Sequence, residues 1–506
     1  MTMALSTTMD TVRKSLNGSI CRDERSKIGQ FFTPANIARY MASLFEQVGA
    51  EVRLLDPGAG TGVLFAACVE AFVYRKQHPL SIKVVAYEND KRVLPYLKET
   101  MDRCGLICKK ASILFHGEIR AEDFIAGAVA QIDDGLFTGQ RERFTHAILN
   151  PPYKKINGES VARRLLHTAG IEVSNLYAAF VWLTARMLDN KGEMVAITPR
   201  SFCNGPYFRR FRVNLIDMMG IRHIHLFESR KKVFGDDDVL QENVIYHSVK
   251  KMGKPEFVLL SSSDSTDFDN AKYQSVLYNQ IILPGDRDAF IHLVLCDEDK
   301  RIVERMGGFA TSLDTLGLDV STGPVVDFRV REYLYQLPKK GTVPLIYPCH
   351  FGEGIIKWPG GAQKKPNAIE VSPRITDLLV DAGYYVLTKR FSAKEERRRV
   401  VAVIYDPYMI KASRVGFENH VNYFHAKGSS LTANLAKGLA LYLNSTLFDQ
   451  YFRLFSGHTQ VNATDLRKMS YPTRDQLLRL GAHVKHRMPE QEAVDAILKS
   501  ECENNG

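Results

Sequence analysis

Short apolar runs that end on a polar residue alternate with stretches of helical spacing through the first half of the chain. Residues 53–55 read as a strand stopping at Asp56, residues 82–87 as one stopping at Glu88, and residues 146–149 as one stopping at Asn150. Ile37, Met41, Leu44 and Phe45 share one face of a short helix opened by Thr33 and Pro34, where proline is tolerated in the first turn. A second helix is expected over residues 63–75. Leu176, Phe180, Leu183 and Met187 again recur at helical spacing, Gly192 breaks that helix, and residues 194–197 form another buried strand. This rhythm predicts an α/β fold, a mostly parallel sheet with helices on both faces. Ligands in such sheets bind outside the carboxyl ends of the strands, which is where Asp56, Glu88 and Asn150 fall.

Beyond about residue 255 the alternation fades. Residues 343–347, 384–387 and 400–405 look like strands of a mixed α+β region. With 506 residues the chain exceeds what one core usually supports. The expected division is 1–255 and 256–506, with Ser261, Ser262, Ser263 and neighbouring Asp residues as linker.

The net charge of +10 and pI near 9.0 favour a polyanionic partner. The first residues carry no apolar segment of signal-peptide type, and no apolar run reaches the ~18 residues a bilayer demands, so a cytoplasmic protein without a membrane span is expected. The 8 cysteines are scattered. Cys104 and Cys108 form the one close pair, without a second pair at zinc-site spacing, so free thiols and no metal are expected.

The stretch from Asp56 through Pro57, Gly58, Ala59 and Gly60 to Gly62 admits three nucleotide-binding readings. A phosphate loop needs Lys and Ser/Thr at its end, whereas Val63 and Leu64 follow here. A dinucleotide fingerprint needs wider glycine spacing. The cofactor turn of S-adenosylmethionine enzymes remains, where glycines let backbone approach the cofactor closely; an ordinary strand-to-helix turn is the plain alternative. Glu88 ends the next strand, placed to accept from ribose hydroxyls, and Asp123 is placed to accept from the cofactor's adenine amino group.

Asn150-Pro151-Pro152-Tyr153 carries the chemistry. An amino nitrogen conjugated to a ring is a poor nucleophile because its lone pair is delocalised. Two acceptors, the Asn150 side-chain oxygen and the Pro151 carbonyl, draw that nitrogen towards tetrahedral geometry. The two prolines stiffen the loop, and Tyr153 offers a ring for stacking. A base inside a duplex has to rotate out to reach such a loop, which calls for a second stacking surface. Phe234 is the candidate and Phe227 its rival, with a buried core role open to either. Lys154, Lys155, Lys231 and Lys232 flank these aromatics as phosphate contacts or as solvated surface lysines.

In their order these residues resemble the gamma-class, TaqI-like N6-adenine DNA methyltransferases of restriction–modification systems. Gln30-Phe31-Phe32-Thr33-Pro34 precedes the cofactor turn, and a basic recognition region follows the catalytic half. The resemblance implies that Thr33 and Pro34 line the methionine end of S-adenosylmethionine and that Phe234 stacks on the base. It extends through Lys389-Arg390-Phe391-Ser392, Glu418-Asn419-His420 and Gly457-His458-Thr459-Gln460-Val461-Asn462 to the PstI/BsuBI-like subset, for which CTGCAG is the first target to try. It implies a prokaryotic cytoplasmic enzyme acting as a monomer on double-stranded DNA, beside a separate restriction endonuclease.

Lys389 and Arg390 are expected to contact DNA, and Arg397, Arg398 and Arg399 to form a solvated, salt-bridged face. An RNA or protein-glutamine methyltransferase using the same tetrapeptide is the competing reading. A fused nuclease is not expected, since no Pro-Asp…Glu-x-Lys pattern is present.

Overall fold

The computed structural model describes residues 33–502, apart from 139–141, 228–242, 252, 264–266, 283, 285, 287, 294–296, 310, 361–364, 393–395, 456–459 and 486. The chain divides into two compact units, Met1–Leu295 and Cys296–Gly506. Among the described residues no helix is long and apolar enough to cross a membrane.

A nine-stranded sheet organises the first unit: β1 (Glu51–Asp56), β2 (Ser81–Tyr87), β3 (Leu114–Arg120), β4 (Phe144–Leu149), β5 (Leu188–Pro199), β6 (Met219–Phe227), β7 (Asn243–Lys250), β8 (Phe257–Ser263) and β9 (Lys272–Leu277). Their order is β3-β2-β1-β4-β5-β7-β6-β8-β9. The first five in that order are parallel, and β7 lies antiparallel between β5 and β6. Chain order reverses between β1 and β4, so a crevice opens there at the carboxyl ends of the strands.

Strand alternation sends side chains to two separate cores. On one face α1 (Ala35–Ser43), α2 (Val63–Val73) and α3 (Leu94–Lys110) cover Val52, Leu54, Ile148, Val195 and Ile197. On the other, α4 (Phe124–Thr138), α5 (Val161–Thr168) and α6 (Leu176–Met187) cover Leu55, Ala147, Leu149, Met194 and Ala196. This is a doubly wound α/β fold, as the sequence rhythm predicts, and it agrees with the S-adenosylmethionine-dependent methyltransferase domain that the resemblance implies.

Strand β3, at the edge of the sheet, was not anticipated from the sequence pattern. The serine run is not a linker: it ends β8, which pairs in parallel with β6. Ser261 Oγ lies 2.7 Å from His223 Nε2, 2.8 Å from His225 Nδ1 and 3.1 Å from the Tyr40 hydroxyl of α1. The serines are buried but hydrogen-bonded, which is how polar residues enter a core at low cost. The boundary expected at 255/256 therefore falls inside the sheet, and the first unit runs to Leu295.

The second unit holds β10 (Asp319–Thr322), β11 (Leu334–Tyr335), β12 (Thr342–Ile346), β13 (Ala368–Glu370), β14 (Leu379–Asp381), β15 (Tyr385–Lys389), β16 (Ala402–Tyr405), β17 (Arg414–Phe417) and β18 (Val421–His425). They form a four-stranded sheet, β10-β18-β15-β16, and a five-stranded one, β11-β13-β12-β17-β14. The three strands expected from sequence are β12, β15 and β16. Helices follow, among them Ala433–Leu443 and Arg474–Ala482, which approach so closely that a Cβ on Gly438 would meet the Leu477 carbonyl at 1.8 Å.

Candidate active site

The turn after β1 opens a cavity of about 500 Å3, lined by Thr33, the 57–61 turn, Glu88, Asp123, Asn150 and Pro152 among others. That volume falls within the roughly 300–1,000 Å3 usual for small-molecule and cofactor sites. The turn depends on glycine. Gly60 has φ +53° and Gly62, which caps α2, has φ +85°, both in the left-handed region that side chains disfavour. A Cβ on Gly62 would also meet the Phe65 ring at 2.6 Å.

Glu88 is buried at the end of β2 and accepts two backbone bonds, from the Gly60 amide at 2.9 Å and the Asp90 amide at 2.8 Å. These fix its carboxylate against the glycine turn. Burial raises its pKa above the usual carboxylate range, and the two amides oppose that rise. Asp123 is exposed on the cavity wall, where one oxygen caps the start of α4 by accepting from the Ala126 amide at 3.0 Å. Asp56 is fully buried behind the turn and does not line the cavity. Burial pushes its carboxyl up to about 8.

The opposite wall is aromatic. Phe124 packs 4.9 Å from Phe180 and 5.1 Å from Tyr87, centroid to centroid, and all three line the cavity. The sequence reading did not assign them a binding role. The available signal was the adjacency of Phe124 to Asp123 and the place of Phe180 on the helical face of α6.

Asn150 follows β4 directly, since Leu149 pairs with Ala196 of β5. Its side-chain nitrogen donates to Thr33 Oγ1 at 3.0 Å, which turns the carboxamide in a defined direction. Pro34 caps α1 beside Thr33 in extended conformation (φ −60°, ψ 148°). Pro151 is buried. Tyr153 directs its hydroxyl to the Ile197 carbonyl at 3.4 Å and sets its ring edge-on to Tyr177 at 6.3 Å. Burial raises the Tyr153 pKa, so the hydroxyl stays protonated.

Lys154 and Lys155 are exposed. Lys231, Lys232 and Phe234 lie outside the described residues, as do Gln30, Phe31 and Phe32. Phe227 is in the core at the end of β6, 4.9 Å from His225 and 6.2 Å from Phe268, so its ring is already committed to packing.

In the second unit, three sequence segments far apart in the chain meet. The Arg390 amide donates to the His420 carbonyl at 2.9 Å, and the Val461 amide to the Arg390 carbonyl at 2.7 Å. Phe391 stands exposed, with the His420 ring at 5.1 Å and the Arg390 guanidinium over its own ring at 5.7 Å. Buried Glu418 accepts from His420 at 2.5 Å. Lys389, half-buried at the end of β15, borders this surface. The arginines 397–399 do not form a solvated face throughout. Arg399 is fully buried, its Nε donating to Ser392 Oγ at 3.1 Å, because Asp449 and Phe452 enclose that segment.

The Eco57I restriction-modification methylase family matches residues 80–234. The type II methyltransferase M.PstI of Providencia stuartii is 42% identical over 496 residues, spanning 98% of this chain and 97% of its own. M.BsuBI of Bacillus subtilis, also a type II methyltransferase, is 44% identical over 480 residues, 94% and 93% of the two chains. Among solved structures, a DrdV–DNA complex superposes with a TM-score of 0.51 at 12% identity. That alignment covers 91% of this chain and 57% of the solved one, and supports the fold alone.

Proposed function

Because the chain belongs to the PstI/BsuBI-like type II DNA methyltransferases of restriction–modification systems, we propose that it methylates N6 of an adenine rotated out of double-stranded DNA, using S-adenosylmethionine. The observation that carries this reading is the bond from Asn150 to Thr33 at the cavity's edge. It engages the carboxamide nitrogen and so sets which way the oxygen faces.

That oxygen and the Pro151 carbonyl are the two acceptors for the amino hydrogens. Preorganised acceptors of this kind lower the barrier without reorganising during the reaction. The Tyr153 ring stacks on the base, and Phe234 closes its other side. The cavity suits the cofactor: a glycine turn for close backbone approach, Glu88 for the ribose hydroxyls, Asp123 for the adenine amino group, and Phe124 and Phe180 as aromatic wall. Thr33, Pro57, Gly58, Ala59 and Gly60 line it, Pro34 follows Thr33 at the start of α1, and Asp56 sits buried behind the turn. When bound, S-adenosylmethionine supplies an electrophilic methyl on a sulfonium. The protein's part is to hold nitrogen and methyl in line while excluding water.

In this reading the first unit is catalytic and the second recognises the target. Lys154, Lys155, Lys231, Lys232, Lys389 and Arg390 contact the DNA backbone, the enzyme works in the cytoplasm as a monomer, and a separate endonuclease cuts the same site. Single-molecule methylation sequencing of DNA from cells expressing the chain tests the reaction. N6-methyladenine at one short motif is expected; unmodified adenine throughout would overturn the reading.

A further inference from the structure

Asn243 begins β7 with only 3% of its surface exposed, and among the described residues neither its oxygen nor its amide nitrogen has a hydrogen-bond partner. A buried carboxamide with both ends unmatched is costly, since each group has given up water for nothing. Folded proteins tolerate such a group where it serves function.

Its place in the sheet says what function. Asn243 pairs with Pro199, the last residue of β5. Asn150 follows the last residue of β4, and β5 is the strand between β4 and β7. Asn243 therefore stands at the same carboxyl edge as Asn150, one strand removed. It also shares the sheet face of Ile197 and Ile245, which pair two residues along and pack in the core under α1. Thr33, the partner of Asn150, stands just ahead of that helix, before its cap Pro34. The Asn150–Thr33 bond and the unmatched Asn243 amide thus border one end of one face.

Building on the proposed reaction, we infer that Asn243 reads the flipped base, its side-chain amide donating to a ring nitrogen of the target adenine. The division of labour follows from adenine's chemistry. Its two amino hydrogens are taken by the Asn150 oxygen and the Pro151 carbonyl, so the groups left to recognise are acceptors: N1, N3 and N7. Asn243 carries the donor such an acceptor needs. A pyrimidine or a guanine presents a different pattern to the same pair of asparagines. Asn243 then adds selectivity for the extruded base, distinct from the reading of sequence in the duplex.

The test is a cycle of protein and base variants. Duplexes carry the site that wild type methylates, with adenine, 1-deazaadenine, 3-deazaadenine or 7-deazaadenine at the target position. Binding is measured by competition with S-adenosylhomocysteine present, so altered nucleophilicity of the analogue does not enter. Wild type should bind one analogue about tenfold more weakly than adenine, the size expected for one lost hydrogen bond. In Asn243→Leu that preference should vanish, and the melting temperature of the free protein should hold or rise because an unmatched amide is gone.

A wild type indifferent to all three analogues overturns the inference without any variant. So does Asn243→Leu retaining the wild-type preference. Should Asn243→Leu fail to fold, Asn243→Asp replaces the donor with an acceptor and must lose the same preference. Failure of the underlying reaction would look different, because wild type would then leave adenine itself unmethylated.

Discussion

Asn150 of the loop after β4 and Thr33 ahead of α1 are 117 residues apart in sequence and joined by one hydrogen bond of 3.0 Å, nitrogen to Oγ1. On the proposed reaction, the bond links the residue that takes the substrate amino group to the segment bordering the cavity. Thr33→Val keeps shape and removes the acceptor. Its kcat should fall about tenfold, the usual worth of one positioning hydrogen bond, with cofactor affinity little changed, and Thr33→Ser should restore most of the rate. A Thr33→Val enzyme with normal kcat would show that Asn150 is oriented by something else.

On the proposed reaction, Asn150→Ala removes one of the two acceptors themselves. Its kcat should drop by roughly 10²–10³, comparable to deleting one member of an oxyanion hole, while calorimetry still detects S-adenosylhomocysteine. Loss of both activity and binding would instead mark Asn150 as a determinant of the cavity's shape.

How far these residues were legible in sequence follows from their surroundings. Asp56, Glu88 and Asn150 each end a run that is apolar because it is buried on both faces, so position and chemistry coincide in the pattern. The wall formed by Phe124 and Phe180 was invisible as a site, because an aromatic on a helix reads as core whether or not it borders a cavity. The end of the first unit was misplaced for the opposite reason. Ser261 and its neighbours look like linker, and only the pairing of β8 with β6 shows that His223, His225 and Tyr40 satisfy them. Phe234 was preferred to Phe227 because it follows a basic stretch; Phe227 packs on His225 and Phe268 in the core, whereas Phe234 lies outside the described residues.

Asp56 makes stability depend on pH. Its folded pKa is raised from 3.8 to about 8 by burial, so the folded state holds a proton that the unfolded state has released. The stability this gives is present below about 3.8 and is lost progressively as pH rises through about 8. Glu88, raised in the same direction, adds to the slope. Urea melts of the cofactor-free protein between pH 5 and 9 should show stability declining, and Asp56→Asn should flatten that decline. An unchanged slope in the variant would mean that the proton resides elsewhere.

Gly62 holds φ +85° at the start of α2, with Phe65 where a Cβ would sit. Gly62→Ala combines left-handed strain with a clash against a ring and against Thr100 at 2.9 Å. The strain alone is worth about 1–3 kcal/mol, and relieving the clash shifts the turn that bounds the cavity. Both the denaturation midpoint and cofactor affinity should fall. A stable variant with weakened cofactor binding would show that the turn moves without costing the core.

The basic residues of the second unit divide into two kinds by burial, and salt separates them. Lys389 borders the surface where Phe391, His420 and Gln460 meet. If its ammonium sits on a phosphate, Lys389→Ala should lower the slope of log affinity against log salt by about 1 and weaken all DNA sequences alike. Arg399 has no such route to DNA. It is fully buried, bonded to Ser392 and stacked near Phe452 at 5.9 Å. Arg399→Met should leave the salt slope untouched and lower folding stability by about 1–3 kcal/mol, because the Ser392 hydroxyl loses its donor in a buried place. A changed slope in Arg399→Met would place that arginine at the DNA after all, whereas an unchanged one in Lys389→Ala would move the backbone contact off the end of β15.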